Sequence, residues 1–390
     1  MKALLFSNFE LPDSCANASR VFAFAKMLRY IGWSVEITGI SYKNNMALSG
    51  TYENFPYKMI PSNGFSGIKA RKRILALEND IKEYLQQTYK QESFNVIFLS
   101  NIYYDFSKCF IDFAKKYKLA IIVNEVEWYE KNNEIFDGFG GKIKFLKNRI
   151  ALKNIHVKMK NIVAISSLLG NYYSDRGCCT CVVPTILDMS NYENIPHSTN
   201  QKTIISYAGS PAKKDLICNV ILALEYLTLE EKKRLEFHFY GATDEDFIKV
   251  GVEKNLIEKY KGIIICHGRI PHDEVKTKIA ESDFTVLLRP DLKYANAGFP
   301  TKVGESMACG TPVIANITSD LEKYIIDGKT GIVCENETPQ SCAKAIQRAI
   351  RITKKQLKEM RKETKNMAYK AFDYRVYGNL IKDFLRKIKY

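Results

Sequence analysis

Between Ala297 and Asn316 the chain reads AGFPTKVGESMACGTPVIAN, a run that gathers residue types suited to an anion and a diol. TKVGESMAC is predicted as a short helix, with Thr301 as its N-cap and Gly310 as its stop; Pro312 then opens a strand. The first turn of a helix offers unpaired N–H groups and partial positive charge, which suit a phosphate. Lys302 adds a full charge beside it, and Gly298 in the preceding loop lets a ligand approach the backbone. Glu305 follows Thr301 by one turn on the same face. Its carboxylate accepts two hydrogen bonds side by side, as from two vicinal hydroxyls. Diphosphate at the helix tip and ribose one turn back would match this spacing. A structural helix whose Glu305 is solvated or paired with a lysine matches it equally well.

Such a helix must be positioned by strands, and the chain supplies them. KALLFS, SVEITGI, NVIFLS, LAIIVNE and NIVAISS are short apolar runs in the first half, separated by helical patterns such as ASRVFAFAKMLRYIG. TIISYAG, LEFHFYG, GIIICHG, DFTVLL and TPVIAN repeat that grammar in the second. Apolar runs of this length fit strands covered on both faces, and their alternation with helices predicts two doubly wound α/β domains. The expected division is 1–190 and 191–370, with the seam in the proline-containing, aperiodic stretch 182–203. The tail 371–390 reads as an amphipathic helix returning to the first domain. Ligands of such sheets bind beyond the carboxyl ends of the strands, so the useful residues should follow strands, in a cleft between the domains.

Composition bounds the partners. The chain has 390 residues and a net charge of +15, with an isoelectric point near 9.1. A basic surface suits nucleic acid, an anionic membrane or phosphorylated substrates, and a lysine-rich soluble surface gives the same count. No helix-turn-helix, finger or RNP-like signature supports nucleic acid. MKALLFSNFELPD lacks the pattern of a secretion signal, and no run of 18 apolar residues occurs. The ten cysteines show no disulfide frame, so they read as reduced and cytoplasmic. Cys178–Cys181 contains one Cys-x2-Cys without a second ligand pair. Asp244-Glu245-Asp246 reads as an acidic helix start favoured by the dipole, and no metal is expected.

GFPTKVGESMACGTPVIAN, followed by DGKTGIVCE, resembles the donor-site signature of the retaining family 4 of GT-B glycosyltransferases. YAGSPAKKDL, CHGRIPHDEV and ISSLLGNYYSDRG extend the resemblance across the chain. It implies a GT-B fold, a nucleotide diphosphate sugar as donor on the second domain, no cofactor, and transfer with retention. Carried over by motif, Glu305 would accept the ribose hydroxyls, Lys214 would contact the diphosphate, and Gly209, Ser210 and Lys213 would stand beside it. Gly298 and Phe299 would face phosphates and sugar, and Gly268 and Arg269 would lie near the base. The sequence departs from the pattern twice. Ala297 stands where the family has the first Glu of a Glu-x7-Glu pair, with Asn296 as a neutral substitute; Ser210 stands where it has an Arg, with Lys302 or Arg289 as the replacement cation.

The acceptor side is less legible. Asn17, Arg20, Glu125 and Glu127 are the candidates, the two glutamates following a strand where one would activate a hydroxyl. GGKIKFLKNRIALKNIHVKMKN mixes lysines with Phe145, Leu146 and Ile150 at helical spacing. It packs on the sheet or lies on an anionic membrane, and the second would suit a polyprenol-diphosphate-linked acceptor as well as a saccharide. His156 within it reads as structural. A nucleotide-sugar epimerase and a non-catalytic sugar-nucleotide binder remain rival readings.

Overall fold

The computed structural model describes residues 1–12, 15–42, 47–62, 70–101, 104–130, 138–211 and 214–389. The chain divides into two compact units, Met1–Ile186 with Tyr374–Tyr390, and Leu187–Asp373.

In the first unit eight strands form one sheet: β1 Lys2–Ser7, β2 Ser34–Ser41, β3 Ser49–Tyr52, β4 Phe55–Pro61, β5 Val96–Ser100, β6 Ala120–Glu125, β7 Asn161–Ala164 and β8 Cys179–Val182. Their order is β3-β4-β2-β1-β5-β6-β7-β8, parallel throughout except for the β3–β4 pair. β1, β5 and β6 are buried along their whole length, which is why they read as unbroken apolar runs. The β3–β4 hairpin is closed by Glu53 and Asn54, at φ of 48° and 64°. Two consecutive left-handed residues characterise the tight hairpin turn that follows strand twist.

The tail belongs to the first unit. The helix Gly378–Lys387 places Ile381 and Phe384 in the core of the first unit, with Trp33, Val183 and Ile186. Asn161 donates from Nδ2 to the Lys389 carbonyl at 2.8 Å and accepts the Lys389 N–H at 2.7 Å.

The second unit carries β9 Thr203–Ala208, β10 Leu235–Tyr240, β11 Ile264–Gly268, β12 Phe284–Leu287, β13 Val313–Asn316 and β14 Gly331–Cys334, ordered β11-β10-β9-β12-β13-β14 and all parallel. Strand order reverses at β9, so its carboxyl end at Gly209 is the topological switch point. The unit begins at Leu187 rather than 191. Leu187 donates its N–H to the Phe372 carbonyl at 2.7 Å, and Met189 and Tyr192 are buried, which draws the polar seam into the second unit.

Candidate functional site

At the carboxyl end of β9 the chain turns through Gly209, at φ 131°. That φ favours glycine, and the end of the Lys302 side chain lies close over it, Cε 2.6 Å from where a Cβ would stand. Lys302 stands in the first turn of the helix Thr301–Ala308 and reaches back to Asp215, its Nζ 2.8 Å from Oδ2. Arg289, just beyond β12, approaches the other oxygen, Nε to Oδ1 at 3.6 Å. Tyr207 donates its hydroxyl to Asp215 Oδ2 at 2.8 Å and lies under the ammonium, 5.0 Å from ring centroid to Nζ.

Asp215 and Arg289 are buried, whereas the Lys302 side chain keeps 30% of its exposure. Burial alone would raise the Asp215 carboxyl; Lys302 and Arg289 outweigh it and hold it below its ordinary value. Burial, reinforced by the neighbouring carboxylate, pushes the Tyr207 phenol up, so it remains a neutral donor. Two cations thus share one carboxylate beside a helix N-terminus. A cavity of about 20 Å³, lined by Tyr207, Ala208, Thr285, Lys302, Val303 and Glu305, has room for one water. Glu305 is half-buried on the same helix.

The other predicted donor-side residues have mixed roles. Lys214 is exposed in the turn before Asp215, and Ser210 accepts the Tyr207 hydroxyl on its carbonyl at 3.2 Å. Lys213 lies outside the described residues. Gly268 takes φ 63° at the end of β11, where its carbonyl accepts from Gly241 N–H at 2.6 Å; Arg269 next to it is exposed.

The helix N-cap is Pro300, not Thr301: Pro300 has the extended backbone of a cap, φ −75° and ψ 108°, and the Thr301 backbone is already helical. The Gly298 N–H bonds the Tyr294 carbonyl at 3.4 Å, and its φ of −83° is open to any residue. Phe299 turns inward against Tyr324 and Phe372, with centroids at 5.5 and 5.8 Å. Asn296 donates to Asp291 at 2.6 Å and accepts the Ser319 N–H at 2.7 Å, tying two loops together. Ala297 is fully buried.

Asp215 and Tyr207 were not singled out by sequence. Their signal is faint, because a carboxylate after two lysines reads as a solvated turn, and a tyrosine inside an apolar strand reads as core.

In the first unit, Arg20 spends its guanidinium internally. It donates to Asn124 Oδ1 at 3.1 Å, to the Val183 carbonyl at 2.7 Å and to the Pro184 carbonyl. Glu125 ends β6 in the interior, its Oε2 2.6 Å from His156 Nδ1 and accepting the Tyr173 hydroxyl at 2.9 Å. Glu127 is half-buried beside a second cavity of about 20 Å³, and Asn17 is half-buried near the start of the helix Ala16–Tyr30. On the helix Gly138–Ile150, Ile143 and Leu146 are 45% and 57% exposed, and Lys142, Lys144 and Arg149 are exposed around them. Apolar packing on the sheet therefore does not absorb this face. Among the described residues no helix is long and apolar enough to cross a membrane, and no set of three or more His, Cys, Asp or Glu is gathered for a metal ion.

Residues 189–370 match the family model described as glycosyl transferases group 1. No curated protein matches the chain by sequence. Among solved structures, the sucrose-phosphate synthase of Thermosynechococcus elongatus is 14% identical with a TM-score of 0.75, over 99% of this chain and 98% of that one. Anabaena HepE in complex with UDP and glucose is 13% identical with a TM-score of 0.70, over the full length of both. The apo lipopolysaccharide outer core galactosyltransferase WaaB is 15% identical with a TM-score of 0.64, over 99% of each chain. The fold is GT-B, with two Rossmann-like domains.

Proposed function

We propose that this chain is a glycosyltransferase that takes a hexose-type sugar from a nucleoside diphosphate sugar bound at the carboxyl end of β9. The acceptor is a saccharide or a polyprenol-diphosphate-linked saccharide bound by the first unit. The observation that carries this reading is the Lys302–Asp215–Arg289 cluster beside the N-terminus of the helix Thr301–Ala308, with Glu305 one turn further on. The group 1 match over this unit supports it, as do neighbours of the same fold crystallised with UDP or UDP-glucose.

Negative charge develops on the diphosphate as the bond to the sugar breaks, and positive charge placed there beforehand lowers the barrier. Lys302, aimed by Asp215, and Lys214 in the adjoining turn serve as that charge, and Glu305 takes the ribose hydroxyls. Asn296 enters as the residue that holds the loop at Ser319, and Gly268 and Arg269 border the base. With no nucleophile assigned on the enzyme, retention by front-face attack is the stereochemistry we propose, without a metal. The exposed Ile143 and Leu146 amid basic residues favour a place on the inner, anionic face of a membrane, in cell-surface polysaccharide synthesis.

Calorimetry with UDP and other nucleoside diphosphates tests the site. One nucleotide should bind the parent chain, and Glu305→Ala should weaken it at least tenfold; equal affinity in the variant would remove Glu305 from the ribose. A second reading, a binder without turnover, is favoured by the buried Ala297 where a carboxylate is expected. Such a protein would bind the nucleotide yet transfer and hydrolyse no sugar.

A further inference from the structure

His238 on β10 and His267 on the edge strand β11 project from the same face of the second sheet. His238 pairs in register with Ile265, and His267 stands two residues further along β11. Their rings lie 5.1 Å apart at 28°, and His238 Nδ1 is 3.1 Å from His267 Nε2. The Tyr240 hydroxyl is 3.3 Å from that same Nδ1, and the Tyr240 ring stacks on His267 at 4.5 Å. Behind His238, Glu236 Oε2 is 3.2 Å from Nε2, while the other Glu236 oxygen takes Lys202 at 2.9 Å.

The carboxylate favours one tautomer. A proton on Nε2 of His238 is held by Glu236, which leaves the Nδ1 lone pair directed at His267. A carboxylate on the far nitrogen is the arrangement that orients metal-ligating imidazoles. Two ligand nitrogens at about 2.0–2.1 Å from one ion, separated by 3.1 Å, subtend about 100° at the metal. That angle lies between the cis angle of a square or octahedral site and the tetrahedral one. His267 is exposed, so water can fill the remaining positions.

We propose that His238 and His267 form a cross-strand chelate for a divalent transition metal of the class that favours imidazole, zinc, nickel or copper, with Glu236 as the orienting partner. The site is independent of the sugar-nucleotide reading. It spans β10 and β11, whose ends are already joined by Gly241 N–H to the Gly268 carbonyl at 2.6 Å.

Titration of the untagged, reduced full chain with Ni²⁺ at pH 7.5 tests it. One saturable ion per chain is expected, with affinity at least tenfold lower in His267→Gln. Glu236→Gln, which leaves both ligands in place, should lower affinity by about tenfold or more. The exposed position of His267 keeps its variant folded, and thermal melting checks this. An ion bound as tightly by folded His267→Gln, as it would be on cysteines, overturns the assignment, as does a parent chain with no saturable binding.

Discussion

Asp215 aims its neighbours. It is buried, receives Tyr207 and draws Lys302 close over Gly209. Removing the charge of one partner in such a buried pair costs roughly 3–5 kcal/mol. Asp215→Asn should therefore lower the melting midpoint sharply and release the lysine, so nucleotide affinity and stability should fall together. Gly209→Ala should strain the backbone at its φ of 131° and displace the end of Lys302, which lies 2.6 Å from the added Cβ. Strain of about 1–3 kcal/mol is the expected scale. Unchanged melting in Gly209→Ala would mean that this turn does not hold its left-handed φ. The contribution of Lys302 to chemistry is read separately: Lys302→Ala should reduce turnover by about a hundredfold to a thousandfold in a chain that still melts cooperatively.

Elements differ in how well the sequence announces them. The strands buried on both faces were legible, because continuous apolar runs such as AIIV in β6 leave little choice. The helix after Pro300 was legible from Gly310 and from spacing, although its cap was assigned one residue late. The β3–β4 hairpin was not legible, because Glu53-Asn54 lacks the glycine that usually marks a left-handed turn. The site was half legible: spacing pointed to Lys302 and Glu305, but Asp215, which gathers the cations, depends on contacts more than 70 residues distant that no local pattern encodes.

In the basic helix Gly138–Ile150, Lys147 is tied to Asp105 at 2.6 Å, so the exposed apolar pair is the sharper probe of membrane contact. Ile143→Asp with Leu146→Asp should abolish co-sedimentation with anionic vesicles while the fold persists; retained binding would leave the helix as a solvated surface.

At the scale of the whole molecule, acid should act on the second unit through His197. His197 Nδ1 lies 2.8 Å from Arg361 Nη1 and 3.0 Å from the Ala280 carbonyl. The residue keeps solvent exposure, but desolvation of its ring, with Arg361 and Lys365 adding to it, outweighs the Ala280 carbonyl and lowers this histidine below its ordinary 6.5. A base depressed in the folded state binds fewer protons there than when unfolded. Its contribution is therefore complete above about pH 6.5 and is lost as the pH falls below that value. Melting temperature followed from pH 8 to 5 should drop less steeply in His197→Gln than in the parent.

The chain enters the second unit at Leu187 and leaves it at Asp373, and these two residues are bridged to each other. The second unit is thus a loop of chain fastened at its own neck, inserted into the first, whose core stays short of Ile381 and Phe384 until the segment after it has been made. Synthesis from the N-terminus should therefore complete the inserted unit before its host. Residues 187–373 expressed alone should fold and take up a nucleoside diphosphate, whereas a chain cut at 373 should keep the first unit unfinished and prone to proteolysis.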